Sequence, residues 1–250
     1  GNIVFANWGS NVSINTPSVT DSVFYMQAVT DNNGGAIVSW TKVGSDGNPV
    51  ILAQRVNTSG VIQWATGGVN ICNSIYEKSM QKMKPDGNGG AIIAWRRESG
   101  TKGYYAQRLN ANGLILWAGN GVLAIVENFS VTNGAFDIAA SSGGIVIAFQ
   151  GLPVGATNYV VKAARLNSSG VATFGSSGIL LNNLNTDTSS TIITTDDGAG
   201  GAVIAWEDSR YTTTRLFAQR IASTGSLYWV LNGVQISQGY QSVSNASHLQ

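Results

Sequence analysis

Two series of aromatic residues divide this sequence into repeats of about 55 residues, and the repeat restricts the fold more than any other feature. Each member of the first series lies five residues after a Gly-Gly pair, and the members are Trp40, Trp95, Phe149 and Trp206. The second series consists of Trp8, Trp64, Trp117, Phe174 and Trp229. All seven tryptophans belong to the two series. A fixed period of this size indicates a tandem architecture.

The most regular part of each repeat is a short turn between an arginine and the second aromatic residue. The arginine precedes that aromatic residue by nine positions in all four complete copies, and the arginines are Arg55, Arg108, Arg165 and Arg220. A glycine ends each turn, at Gly60, Gly113, Gly170 and Gly225. We predict positive φ at these glycines, because such a turn closes with a left-handed residue and glycine adopts that conformation without steric cost. We expect the arginines to stack on aromatic rings or to bond backbone carbonyls between repeats.

The strand pattern predicts a β-propeller. The run after each Gly-Gly pair is mostly apolar on both faces, which is typical of a strand buried between two layers. Four antiparallel strands per repeat match a propeller blade, whereas separate sandwich domains need roughly twice the length. We therefore predict an all-β propeller with four full four-stranded blades, in which the first aromatic series is buried.

The two ends of the sequence align with parts of a repeat. Residues 4–14 match the last strand of a repeat, and residues 242–250 match the first. This predicts either a single propeller domain over 1–250, with a partial fifth blade split between the termini, or an excised segment of a longer array. The incomplete blade would leave unpaired backbone groups and apolar faces, so we expect another copy or another chain to cover it.

Composition excludes several functional classes. Charged residues make up 11% of the chain and the net charge is +1, so no electrostatic attraction to nucleic acid or to an anionic membrane is implied. No apolar run approaches the ~18 residues that a membrane-spanning helix needs. Cys72 is the single cysteine, which rules out an intrachain disulfide, and we expect it to be a small core side chain.

The sequence contains no recognisable catalytic constellation. His248 is the only histidine, which leaves zinc sites and Cys/His or Ser/His nucleophile pairs without ligands or bases. Asp197 corresponds to Asp31 and Asp86 in other repeats, so we expect these residues to cap turns. The acidic pair at 207–208 is expected to lie in a solvated loop. We predict no catalytic residue, no metal site and no cofactor.

The motif pattern D-G-x-G-G-A-x-x-x-W, then A-Q-R-x-N-x-x-G, then W-x-x-x-G-V-x-I resembles tandem repeats of secreted or surface proteins of Bacteroidetes-type bacteria. The resemblance covers Trp8 to Ile236 and is weakest in the third repeat, where Ser141-Ser142 replace Asp-Gly and Ala164 replaces Gln. It implies export and a propeller-like fold, with the leader absent from this chain. It implies no catalytic residue.

Constant strands with variable loops favour recognition as the function. We predict a non-enzymatic binding or structural module, secreted or at the cell surface, with a glycan or protein ligand. Nucleic acid and membrane insertion are not expected. The predicted ligand-binding residues are Arg210, Tyr211 and Arg215, in a loop that offers an aromatic face and charged donors together. The alternative is a glycan-processing enzyme resembling glycoside hydrolases, which a pair of carboxylates in a cleft would favour.

Overall fold

A computed structural model describes residues 21–131, 135–141, 143–186, 191–211 and 213–238. All regular elements within these residues are β-strands, and this part of the chain contains no helix that could cross a membrane. The terminal segments predicted to form the fifth blade, together with Trp8 and His248, lie outside the described residues.

The strands form four antiparallel sheets, each built from consecutive strands. The first sheet contains β1 (Ser22–Thr30), β2 (Ala36–Val43), β3 (Pro49–Val56) and β4 (Val69–Cys72). The second contains β5 (Lys78–Pro85), β6 (Ala91–Arg97), β7 (Gly103–Leu109) and β8 (Val122–Val126). The third contains β10 (Phe136–Ser141), β11 (Gly144–Pro153), β12 (Tyr159–Leu166) and β13 (Ile179–Thr186), and β9 (Phe129–Val131) pairs with β11. The fourth contains β14 (Ile192–Asp196), β15 (Ala202–Asp208), β16 (Arg215–Ile221) and β17 (Val234–Gln235).

The chain divides into two compact units, each with its own core. Unit 1 takes its residues from 1–126, 142–144 and 167–171, and unit 2 takes its residues from 127–141, 145–166 and 172–250. The core of unit 1 lies between the first two sheets, and that of unit 2 between the last two. Cys72 packs in the core of unit 1, as predicted.

The first aromatic series is fully buried in the second strand of each sheet. The exposed fraction is 2% for Trp40 and 1% for each of Trp95, Phe149 and Trp206. Apolar side chains on both faces of these strands exclude water from both sides, as the sequence pattern indicates. The predicted fold class, all-β with four-stranded propeller-type blades, is confirmed.

The glycine at the end of each arginine-to-aromatic turn has positive φ, as predicted. The φ values are 77° for Gly60, 79° for Gly113, 77° for Gly170 and 93° for Gly225. At Gly113 the backbone also lies against the Trp64 ring, so that a Cβ would be 2.9 Å from ring carbons. Both the turn geometry and the close approach therefore require glycine at this position.

Replacing Gly113 with alanine is expected to destabilise unit 1 by more than the same change at Gly47. Gly47 also has positive φ, at 72°, but a Cβ there would meet no atom within 4 Å. Gly47→Ala therefore reports the left-handed backbone cost alone, about 1–2 kcal/mol. Urea unfolding of both variants separates the two effects. Equal losses of unfolding free energy would show that contact with the Trp64 ring contributes nothing.

A buried ion pair ties the Gly-Gly turn of a repeat to the arginine of the same repeat. The pairs join Asp31 to Arg55 at 2.9 Å, Asp86 to Arg108 at 3.0 Å and Asp197 to Arg220 at 3.1 Å. Each aspartate also accepts backbone N–H groups of its own turn, such as those of Asn33 and Gly35 at Asp31. The turn-capping prediction is confirmed. The arginines were expected to stack on aromatic rings or to bond backbone carbonyls, and the ion pairs with aspartate are a further role.

Acid is expected to weaken the fold through Asp31. Burial raises the pKa of the Asp31 carboxyl, but the Asn33 and Gly35 N–H groups and Arg55 outweigh it and hold the pKa below its usual value. A lowered folded-state pKa stabilises the protein above the unfolded value of about 3.9, and this contribution disappears as the pH falls through the folded value. Urea unfolding at pH 7 and pH 3 should therefore show a smaller acid loss in Asp31→Asn than in the original chain. An unchanged acid loss would contradict this assignment.

Candidate functional site

Two strands of unit 1 carry a bulge opposite a buried tryptophan. In β1 the pairing with β2 shifts between Phe24 and Gln27, and in β5 the pairing with β6 shifts between Ser79 and Lys82. Tyr25 and Met80 have positive φ, at 52° and 56°. Such values are uncommon for bulky side chains, and bulges of this kind re-aim side chains next to functional sites.

The bulge in β5 turns Gln81 towards β2. The Gln81 Nε2 group donates to the Ser39 hydroxyl, and the Thr41 hydroxyl donates to Gln81 Oε1 at 3.2 Å. All three side chains are buried. This polar bridge fixes the two sheets of unit 1 against each other beside Thr41, which lines a cavity.

The cavity of unit 1 has a volume of about 480 Å³. Its wall includes the half-exposed rings of Phe24 and Tyr25 together with the polar residues Thr41, Glu77 and Ser99. Sites for small organic ligands typically measure about 300–1,000 Å³ and combine aromatic walls with a few polar groups. The volume and lining are therefore suited to one or two sugar rings.

Lys78 forms a fixed part of the cavity wall. Its ammonium group donates to the carbonyl oxygens of Pro49, Ser74 and Tyr76, at 2.7, 2.5 and 2.8 Å. These three bonds use all three ammonium protons. Burial lowers the pKa of the lysine. Lys78 thus holds the 74–76 segment against the first sheet and has no proton left to donate to a ligand.

Two glutamates are paired directly beyond the ends of β5 and β6, and one of them, Glu77, lines the cavity. The Glu98 amide donates to the Glu77 carbonyl at 2.9 Å, which extends the pairing of β5 with β6 by one residue. Directly opposite residues of an antiparallel pair have Cβ atoms about 4.5–5.5 Å apart and side chains on one face. Glu77 is exposed and lines the cavity, while Arg96 at 2.7 Å and the Ser79 hydroxyl fix the Glu98 carboxylate. The strand register thus pairs an exposed glutamate, Glu77, with a glutamate whose carboxylate is held in place, Glu98.

A stack of aromatic and guanidinium groups supports the opposite face of the same strand pair. The Arg97 guanidinium lies 4.5 Å from the centre of the Tyr76 ring and 4.3 Å from that of Tyr105. Arg97 Nε and the Tyr105 hydroxyl both donate to the Thr101 carbonyl, at 2.9 and 3.0 Å. Burial raises the pKa of Tyr105. The Arg97 guanidinium is thus held by both rings and by the Thr101 carbonyl.

The residues predicted to bind a ligand meet in unit 2. The Tyr211 ring stacks on Phe217 at 6.3 Å, and the Arg215 guanidinium lies 4.0 Å from the centre of the Tyr211 ring. Arg210 lies on the other side, 3.9 Å from the centre of Phe217, and it forms an ion pair with Asp208 at 2.5 Å. Tyr211 keeps an exposed fraction of 46%. Ligand binding by Arg210, Tyr211 and Arg215 stays a prediction, with Tyr211 the most accessible of the three.

The acidic pair at 207–208 does not lie in a solvated loop, and that expectation is wrong. Asp208 is fully buried at the end of β15, and Glu207 is 9% exposed. The Asp208 carboxylate accepts the Trp206 indole N–H and the Asn182 amide at 3.1 Å each, in addition to Arg210. Strand pairing with β16 continues to Asp208, which carries the pair into the sheet. Asp208 is therefore structural.

No cluster of three or more potential metal-binding side chains occurs within the described ranges. The Glu98 carboxylate is already held by Arg96 and by the Ser79 hydroxyl.

Comparison with known proteins gives structural similarity only. No protein-family model matches the sequence, and a search of curated proteins gives no significant match. An ulvan lyase bound to -[GlcA(1-4)Rha3S]- is similar with a TM-score of 0.57 and 14% identity, over 91% of this chain and 57% of the lyase. A thermostable family-43 glycoside hydrolase is similar with a TM-score of 0.45 and 11% identity, over 88% of this chain and 78% of the hydrolase. An endo-arabinase of Bacteroides thetaiotaomicron has a TM-score of 0.43 and 13% identity, over 86% and 75% of the two chains.

These comparisons correct the functional prediction. The ulvan lyase acts on a carbohydrate, and this finding contradicts the prediction of a non-enzymatic module and agrees better with its alternative, a glycan-processing enzyme. At 14% identity the likeness to the lyase shows the fold, and the chain spans little more than half of that protein. The chain thus shares a fold with the lyase, in agreement with the four antiparallel sheets.

Proposed function

We propose that this chain is a glycan-processing enzyme, or the catalytic part of one, that hydrolyses a polysaccharide at the cavity of unit 1. The observation that carries the proposal is the backbone pairing of Glu98 with Glu77, which lines a cavity that also has two exposed aromatic rings. Glycoside hydrolases need two carboxyl groups that flank the scissile bond. The rings of Phe24 and Tyr25 supply apolar faces on which sugar rings can stack.

The two carboxyl groups differ in their surroundings, which assigns them different roles. Arg96 and Ser79 orient the Glu98 carboxylate, which therefore serves as base or nucleophile. Glu77 is exposed at the rim and is the proton donor to the leaving glycosidic oxygen. In the overall reaction the bond between the anomeric carbon and that oxygen breaks, and water supplies the new hydroxyl on carbon and the proton that restores the acid.

The place of action follows from the repeat motifs. Their resemblance to repeats of exported bacterial proteins supports an enzyme that is secreted or held at the cell surface, where polysaccharides are met as polymers. The structural similarity to the ulvan lyase, which is bound to -[GlcA(1-4)Rha3S]-, supports a polymeric glycan as the ligand. No described residue supports a nucleic-acid ligand, since the charge is nearly balanced.

The function is tested by incubating the full chain with a panel of neutral and acidic polysaccharides. We expect new reducing ends and, in heavy-oxygen water, products that carry one labelled oxygen per cleaved bond. Unsaturated products without the label would show elimination and overturn the hydrolytic mechanism. Binding without cleavage of any polysaccharide in the panel would overturn the proposed function.

A further inference from the structure

A tryptophan and an arginine in each of the first two repeats hold the turn of the next repeat. Trp64 Nε1 and Arg55 Nη1 donate to the same oxygen, the Ala111 carbonyl, at 3.0 and 2.9 Å. Trp117 Nε1 and Arg108 Nη1 donate to the Ser168 carbonyl, at 3.1 and 3.4 Å. Each acceptor is the second residue of an Asn-x-x-Gly turn. We call such a tryptophan and arginine a turn receptor.

The glycine of the bound turn covers the tryptophan ring. A Cβ at Gly113 would lie 2.9 Å from Trp64, and one at Gly170 would lie 2.7 Å from Trp117. This contact leaves the rings 8% and 7% exposed. The receptor thus recognises two features at once, a carbonyl that accepts two hydrogen bonds and a residue without a side chain.

The last receptor has the same residues, and no turn within the described part of the chain occupies it. Trp229 follows Arg220 by nine positions, and Asp197 holds the Arg220 Nε and Nη2 groups as Asp86 holds those of Arg108. Among the described residues, Trp229 Nε1 and Arg220 Nη1 have no acceptor. Trp229 is 38% exposed, and the Arg220 side chain is 34% exposed, against 15% for Arg55 and 13% for Arg108.

We propose that Trp229 and Arg220 bind an Asn-x-x-Gly hairpin turn of a partner protein built from the same kind of repeat. The partner's second turn residue supplies the carbonyl for Trp229 Nε1 and Arg220 Nη1, and its glycine covers the indole ring. The neighbouring side chains of Val230 and Leu231 are exposed, at 68% and 47%, and provide an apolar border for the contact. The interface continues the one that already joins successive repeats.

We take the partner to be a different protein and not a second copy of this chain, because two of the chain's own Asn-x-x-Gly turns are engaged. The turns that end at Gly113 and Gly170 bind Trp64 and Trp117. The glycine of the last turn, Gly225, lies against Phe174, where a Cβ would be 3.5 Å from the ring. Self-association of the chain through Trp229 would contradict the proposal.

The test uses the full chain and a cyclic hairpin peptide with the sequence of residues 107–116, which contains the turn that Trp64 binds. We expect the peptide to shift the indole N–H resonance of Trp229 downfield, because a hydrogen bond forms. That resonance is identified by its loss in Trp229→Phe. A peptide with alanine in place of Gly113 is the matched control, and we expect it to leave the resonance unchanged.

Two variants separate the parts of the receptor. Trp229→Phe keeps a ring, as Phe174 does in the third repeat, and should weaken peptide binding about threefold to tenfold through the loss of one hydrogen bond. Arg220→Lys keeps a positive charge beside Asp197 and should have a similar effect. In a second experiment, an extra copy of residues 78–126, which contains the turn, is fused to the C-terminus of the chain through a flexible linker. The linker raises the effective concentration of the turn at Trp229 to about the millimolar range. The proposal would be overturned if both peptides shifted the Trp229 indole N–H resonance equally. It would also be overturned if that resonance did not shift in the fusion.

Discussion

Asp208→Ala is expected to lower the free energy of unfolding by about 3–5 kcal/mol, the largest stability effect among the changes considered. Asp208 is fully buried and accepts hydrogen bonds from Trp206, Asn182 and Arg210. Removing the carboxylate leaves a buried indole N–H without an acceptor and leaves the Arg210 guanidinium without its counter-charge. Both costs arise in the folded state, so urea unfolding monitored by tryptophan fluorescence measures them.

Asp196→Ala is the matched control, because Asp196 is an exposed aspartate at the end of β14 in the same sheet. A surface change of this kind should alter stability by about 0.5 kcal/mol or less. The double variant Asp208→Ala with Arg210→Met removes both charges and should recover part of the loss. A loss below about 1 kcal/mol in the single variant would contradict the structural role of Asp208.

Glu98→Gln is expected to reduce polysaccharide cleavage by about 10²–10⁴-fold, and Glu77→Gln by a comparable factor. The amide is close to the carboxylate in size but neither takes nor gives the proton that the reaction moves. Reducing-end assays at saturating substrate measure the change. A loss in the catalytic rate constant with little change in KM would place the effect in the chemical step.

Folding must be measured beside activity, because Glu98 forms an ion pair with the buried Arg96. Glu77 is exposed, so Glu77→Gln should retain the original melting temperature. A loss of activity in this variant would therefore come from the chemical step and not from unfolding. Asp196→Asn, in unit 2, should retain full activity. If both glutamine variants retained activity, the carboxylate pair would be excluded as the catalytic site, even if the chain cleaved polysaccharide.

The sequence by itself determined the repeat and its local geometry. The Gly-Gly and aromatic spacing predicted four buried second strands, and Trp40, Trp95, Phe149 and Trp206 confirm them. The nine-residue spacing predicted positive φ at the turn glycines. Both are local properties, because hydrophobic alternation and turn chemistry act over a few residues and recur with each copy.

Only the tertiary structure decided which side chains meet. Glu77 and Glu98 are 21 positions apart in sequence, and only the register of β5 on β6 makes them neighbours. No repeat signal marks them, since the other copies have Val43, Leu152 and Ser209 where Glu98 stands.

The acidic pair at 207–208 shows the same limit. It was expected to be solvated because it follows a strand motif, yet strand pairing extends to Asp208 and buries it. The repeat therefore determines backbone and core, because these follow from local pattern. The placement of charge depends on register and on packing between sheets, which involve residues far apart in the chain.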